Sequence, residues 1–195
     1  KGLIYINDYP FNMPYATKVF ASNFLASYSI ASAIGINMKD IQKILDNFIL
    51  PEGRGNLIEI GDSIIINDSY NANFNSMYAG ISQLSSFKEK NKSVILILAD
   101  MLELSQDSIN THKKLGNYIN KLEFIDHVYG IGNFMSYTIN AINNISINKK
   151  HFLDNDSFIR YFKKNFRDYD IIYIKGSRGM QLEQVLNNIM DIKKC

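Results

Sequence analysis

The sequence predicts an α/β protein built on a mostly parallel sheet with helices on both faces, preceded by a shorter helical segment. Three observations carry that expectation. Strand-like and helix-like stretches alternate from about residue 57 to the end. Two of the strand-like runs, Val94-Ile95-Leu96-Ile97-Leu98-Ala99 and Ile171-Ile172-Tyr173-Ile174, are almost continuously apolar, as strands covered on both faces are. Between the early helices and this alternation lies Pro51-Glu52-Gly53-Arg54-Gly55-Asn56, a break that divides the chain into residues 1–50 and 51–195.

Ahead of the break, Leu3 to Ile6 reads as a short strand, and Asn7-Asp8-Tyr9-Pro10 with Pro14 reads as turn or loop. From Ala16 to Ile34, small and apolar residues at helical spacing predict a buried type of helix that Gly35 stops. Met38 to Phe48 predicts an amphipathic helix through Ile41, Ile44, Leu45 and Phe48.

After the break, Leu57 to Ile60 and Ser63 to Asn67 predict a hairpin turning at Gly61-Asp62, followed by a helix over Asn75 to Phe87. The alternation then predicts strands at Ser93–Ala99, His127–Ile131, His151–Leu153 and Asp170–Lys175. Between and after them it predicts helices at Asp107–Leu122, Phe134–Ile142, Asp156–Phe166 and Met180–Ile192.

With 195 residues, 46% of them hydrophobic, the chain can bury a core without staples, which excludes disorder as a whole. A formal net charge of +2 gives no reason to expect nucleic acid as a partner. One cysteine, Cys195, allows neither an internal disulfide nor a cysteine-based zinc site. With that cysteine usage a cytoplasmic location is expected, and no apolar run approaches the ~20 residues of a membrane helix, so no membrane insertion is expected. The chain opens Lys1-Gly2-Leu3 without an initiator Met or a signal pattern, and reads as the cut end of a longer polypeptide.

Ligands of open α/β sheets bind beyond the carboxyl ends of the strands, which singles out three stretches. Asp68-Ser69-Tyr70-Asn71-Ala72-Asn73 gathers carboxylate, hydroxyl and amide groups before a helix; capping and turn formation are the competing reading. Lys175-Gly176-Ser177-Arg178-Gly179 combines cations and a hydroxyl with two glycines, a chemistry suited to anions. Asp100 and Glu103 follow a central strand and could serve a metal, a base or a helix cap. Arg54, between two glycines at the break, suits a phosphate contact. Neither G-x-x-x-x-G-K-[ST] nor G-x-G-x-x-G occurs, G-x-S-x-G is absent, and His112, His127 and His151 lack metal-ligand spacing, so they are expected to be structural or surface residues.

In order and spacing, Gly53-Arg54, Asp68 to Asn73 with Ser76-Met77, Asp100-Met101-Leu102-Glu103-Leu104, His112, and Lys175 to Met180 followed by Glu183 resemble the Mur ligase family. Within it they resemble the UDP-N-acetylmuramoyl-tripeptide:D-alanyl-D-alanine ligases of peptidoglycan precursor synthesis. The resemblance covers about residues 16 to 195. It implies that residues 1–50 end a central ATPase domain and residues 51–195 form a Rossmann-like carboxy-terminal domain. It implies that Asn23 faces adenine, Arg54 reaches an ATP phosphate and Asp68 the ribose. Asn71, Asn73, Lys175, Ser177 and Arg178 would line the side that receives D-alanyl-D-alanine and the tripeptide. No catalytic residue and no metal ligand is assigned within the chain. The P-loop, the Mg²⁺ ligands and the UDP-sugar site would belong to the missing amino-terminal and central domains, so ATP and Mg²⁺ act together with that portion. Two departures from the family pattern stand out: Val19 and Phe20 replace a His and an Asn before Asn23, and Phe74 replaces a Pro. The alternatives are a non-catalytic ligand-binding remnant or another ligase of folylpolyglutamate synthase type.

Overall fold

The computed structural model describes residues 2–87, 92–165 and 171–194, with the side chains of Ser105, Lys193 and Lys194 excepted. Phe166 and Asp170, which the sequence reading placed at element ends, and Cys195 lie outside the described residues. The chain divides into two compact units, Lys1–Leu50 and Pro51–Cys195.

In the first unit, β1 (Gly2–Ile6) pairs antiparallel with β2 (Tyr9–Met13), and Asn7 and Asp8 both take positive φ at the turn. The expected loop over Tyr9-Pro10 is therefore a strand. Proline is tolerated because each strand of a two-stranded sheet is an edge, where a missing N–H disrupts no ladder on its far side. The helix α1 (Lys18–Ala33) starts at a Thr17 cap, and α2 (Met38–Asp46) at an Asn37 cap. Phe11, Met13, Phe24, Tyr28, Ile41 and Leu45 form the core of this unit. Contrary to the expectation of a buried helix, α1 buries only Phe24 and Tyr28, and leaves Val19, Leu25 and Ile30 exposed. Its apolar residues surround the helix, whereas the hairpin and α2 offer one layer to pack against.

The second unit is a six-stranded sheet in the order β3-β4-β8-β5-β6-β7. Its strands are β3 (Asn56–Ile60), β4 (Ser63–Asn67), β5 (Val94–Ala99), β6 (His127–Ile131), β7 (Asn148–Phe152) and β8 (Ile171–Lys175). Only the β3–β4 hairpin is antiparallel; every other pairing is parallel. The helices are α3 (Phe74–Gln83), α4 (Ser108–Ile119), α5 (Met135–Ala141), α6 (Asn155–Lys164) and α7 (Glu183–Lys194).

Alternation along the buried strands sends side chains to two separate cores. Ile66, Leu96, Leu98, Val128 and Tyr173 pack with Met77, Ile81, Leu115 and Met135 of α3, α4 and α5. Ile65, Ile95, Ile97, Ile172 and Ile174 pack with Phe158, Phe162, Val185 and Ile189 of α6 and α7 on the other face. This is the mostly parallel sheet with helices on both faces that the strand pattern predicts, and the Rossmann-like fold that the resemblance implies. β7 begins three residues earlier than its apolar content indicates, because it is an edge strand whose Lys149 and Lys150 are exposed.

The last strand, β8, lies between β4 and β5, so the loops after β4, β8 and β5 meet at one edge of the sheet. A switch in strand order of this kind is where open α/β sheets bind ligands. Because both cores of the second unit are internal to it, a fragment spanning 51–195 is expected to give a dispersed amide NMR spectrum and a cooperative urea transition. A molten, non-cooperative fragment would show that the unit needs residues 1–50 to fold.

Candidate functional site

At that edge the central feature is an ion pair between a buried lysine and a partly exposed aspartate. Lys175 ends β8 and is 3% exposed. Its Nζ donates to Asp68 Oδ2 at 2.6 Å, to the Asn71 carbonyl at 3.0 Å and to the Asp68 carbonyl at 3.4 Å. A primary ammonium has three protons, and all three find oxygen within the loop after β4. Burial pulls the Lys175 pKa down, the Asp68 charge opposes that, and Arg54 nearby lowers it again.

Tyr173, two residues earlier on the same strand and fully buried, donates its phenol to the same Asp68 oxygen at 2.9 Å. Burial first, and the Asp68 charge second, push its pKa well up, so the phenol stays protonated and remains a donor. The phenol reaches Asp68 through a notch at Gly80 of α3, where a Cβ would lie 1.9 Å from the tyrosine oxygen. With Oδ2 occupied twice, Asp68 Oδ1 is the oxygen with no partner among the described residues.

The rest of the Asp68 loop is held by its own main chain. Asp68 N–H donates to the Ile174 carbonyl at 2.9 Å, and Tyr70 N–H to the Gly53 carbonyl at 3.0 Å. Gly53 has φ +74°, and a Cβ there would stand 2.9 Å from Tyr70 N, so the turn before Arg54 is restricted to glycine on both counts. Arg54 then lies with its Cζ 4.0 Å from the centre of the Tyr70 ring. Asn71 Oδ1 accepts from Ala72 N–H, and its Nδ2 has no partner among the described residues. Asn73 caps α3: its Oδ1 accepts from Ser76 N–H at 2.9 Å while Ser76 Oγ accepts from Asn73 N–H, a reciprocal box.

A second layer rests on Asp100, just beyond β5 and 3% exposed. Its two carboxylate oxygens accept from Phe134 N–H and Met135 N–H at the start of α5, at 3.1 and 2.7 Å. The capping reading thus describes Asp100. Its carbonyl accepts from Ser177 N–H at 3.1 Å, and Ser177 Oγ accepts from Leu102 N–H at 2.9 Å, tying the β8 and β5 loops together.

His112 of α4, fully buried, accepts from Met101 N–H at Nε2 and donates from Nδ1 to the Ser108 carbonyl. Burial lowers its pKa, so it is neutral, and the 4.0 Å approach to Asp100 is not an ion pair. The sequence left His112 as a structural or surface residue; the structure makes it structural, holding the loop after β5.

Of the residues singled out in the sequence, Arg54, Asp68, Asn71, Lys175, Ser177 and Arg178 gather at this edge. Arg178 opens a short 3₁₀ turn, exposed, 5.8 Å from the Tyr70 ring and 4.0 Å from Glu183. Asn23 belongs to the first unit, exposed on α1. The sequence reading missed Tyr173 and Gly80. An apolar run conceals the one, and only packing reveals the other, although a glycine inside a helical pattern is a signal of close approach.

The family model for the Mur ligase, glutamate ligase domain, matches residues 53–178. The chain belongs to the Mur ligase family. Two relatives named UDP-N-acetylmuramoyl-tripeptide--D-alanyl-D-alanine ligase are similar along 94% of this Mur ligase chain. That from Rickettsia prowazekii is 31% identical over 185 residues, and that from Buchnera aphidicola 32% over 189. The crystal structure of MurF from Acinetobacter baumannii superposes with a TM-score of 0.80 at 25% identity, covering 94% of this chain and 40% of that one. Folylpolyglutamate synthase from Thermotoga maritima shares the fold at 12% identity and a TM-score of 0.59. The Mur ligase chain spans about 40% of the length of the curated relatives it matches.

Tyr173→Phe is expected to cost about 1.5–3 kcal/mol, since it strips a donor from a charged acceptor in the interior. Helix propensity alone would make Gly80→Ala favourable by up to ~1 kcal/mol. The phenol in the way makes it destabilising, and less so in the Tyr173→Phe background; urea unfolding of the four proteins checks the coupling, which additive costs would contradict.

His112 adds a pH dependence. Its folded pKa lies below the ordinary value of about 6.5, so the unfolded chain binds more protons as pH falls through that value, and stability falls with it. Denaturation midpoints at pH 7.5 and 5.5 are expected to differ more for the wild type than for His112→Gln.

Proposed function

We propose that this chain is the carboxy-terminal part of an ATP-dependent amide ligase that joins D-alanyl-D-alanine to UDP-N-acetylmuramoyl-tripeptide. The observation that supports this reading most is that relatives carrying that name align with nearly the whole chain at 31% and 32% identity. The upstream part would hold the P-loop, and residues 1–50 would end the ATPase domain. The uncovered apolar residues of α1 are the surface such a domain would need to cover.

The reaction passes the γ-phosphoryl of ATP to the tripeptide carboxylate, and the amine of the dipeptide then attacks the acyl phosphate through a tetrahedral intermediate. Charge neutralisation and placement carry such a transfer. On this reading Arg54 meets a phosphate, and Asp68 offers its unpaired Oδ1 to the ribose. Asn71, with its unpaired amide nitrogen, faces the dipeptide. Lys175, Ser177 and Asn73 act on that side mainly by holding the loops, because their side chains are engaged within the protein. Asn23 is proposed for the adenine side.

Mg²⁺ is proposed to bind to the upstream portion. Among the described residues no three His, Cys, Asp or Glu side chains group as a metal site, so no step is assigned to the metal on this chain. Among those residues, too, no helix is long and apolar enough to cross a membrane; a cytoplasmic location is proposed with the ligase reading.

The test is phosphate release that depends on ATP, UDP-N-acetylmuramoyl-tripeptide and D-alanyl-D-alanine, measured on the protein joined to its upstream portion. Turnover is expected there and not from the 195-residue chain alone. Asn71→Ala is expected to raise the dipeptide KM or lower kcat at least severalfold, with Lys163→Ala on the exposed end of α6 as the silent control. Turnover with glutamate and a folate in place of these substrates would overturn the assignment.

A further inference from the structure

Two guanidiniums converge on one aromatic ring at the edge of the sheet. Arg54 Cζ is 4.0 Å and Arg178 Cζ 5.8 Å from the centre of the Tyr70 ring, so the two cations are separated by no more than those distances combined. The arrangement is built by the main chain. Tyr70 N–H is bonded to the Gly53 carbonyl, and Gly53 is the residue whose missing Cβ lets the turn before β3 approach the loop after β4.

Among the described residues Arg54 has no carboxylate partner, and Arg178 has only the exposed Glu183 at 4.0 Å. Asp68, two residues before Tyr70, already has one carboxylate oxygen committed to Lys175 and Tyr173. The Arg54 charge is close enough to Lys175 to work against its protonation. Among the described residues, the two forks of N–H donors therefore meet no carboxylate closer than Glu183 at 4.0 Å.

We propose that Tyr70 is a positioning residue whose ring gathers Arg54 and Arg178 around a single phosphoryl-binding site. A carboxylate has two oxygens and fills one guanidinium fork, whereas a phosphoryl group presents three oxygens and up to two charges, enough for both. The ring contributes a cation-attracting face that holds each fork while the site is empty. This moves Arg178 from the dipeptide side to the phosphoryl group. The site stands on the geometry; its use in phosphoryl transfer rests on the ligase reading.

The test needs no turnover, so its failure is separate from failure of the ligase assignment. The isotope-labelled 195-residue chain is titrated with inorganic pyrophosphate while the arginine Nε–Hε and Tyr70 ring signals are followed by NMR. Arg54 and Arg178 are expected to shift together with one midpoint. Tyr70→Phe, which keeps the ring, is expected to bind within twofold of the wild type, and Tyr70→Leu roughly five- to tenfold more weakly. In the Leu variant, Arg178→Ala is expected to add little to the loss. Tyr70 is 42% exposed, so the Leu variant is expected to keep the amide spectrum of β5 and β8. Different midpoints for the two arginines, a response from one or from neither, acetate shifting both as well as pyrophosphate does, or a Leu variant binding like the wild type would each overturn the proposal.

Discussion

The ion pair of buried Lys175 with Asp68 is the constraint around which the site is organised. An ammonium taken out of water at the end of a central strand is costly unless every proton is met. Here the meeting groups are one carboxylate oxygen and two carbonyls of a single loop. Satisfying Lys175 therefore dictates the path of the chain from Asp68 to Asn71. That path decides where the Tyr70 ring stands, and with it where Arg54 is held. Removal of the carboxylate would leave an unpaired charge inside the protein, a loss of about 3–5 kcal/mol in comparable pairs.

Around this pair the polar groups divide into those consumed by the architecture and those left for a ligand. Asp100 spends both oxygens on the first N–H groups of α5, Ser177 joins two loops, His112 holds Met101, and Asn73 begins α3. Among the described residues singled out in the sequence, the groups left without a side-chain hydrogen bond include Asp68 Oδ1, the Asn71 amide nitrogen and the two guanidiniums. A dense polar motif thus resolves into a rigid inner set and a smaller outer set, which is how a site is kept in a productive geometry by its own supports.

Much of the fold was legible because the physics is local. Continuous apolar runs mark β5 and β8, and a glycine followed by an aspartate marks the hairpin turn at Gly61-Asp62. The proline and glycines after Leu50 mark the division between the units. The misreadings came where context overrides pattern. A two-stranded edge accepted Pro10, the exposed edge strand β7 carried lysines, and α1 was apolar without being covered. For the candidate site, the motifs pointed to one edge of the sheet, since residues following parallel strands must lie at its carboxyl end.

Residue type and order alone determined the α/β class, the boundary near residue 50, the membership of the Mur ligase family and the set of polar residues at the sheet edge. Only the tertiary structure decided which of those residues serve the fold and which face outward. That choice depends on partners more than a hundred positions apart, such as Tyr173 and Asp68, brought together when β8 inserts between β4 and β5. A hydrogen bond of that kind leaves no periodicity in the chain, because its geometry is set by strand order and by the space left at Gly80.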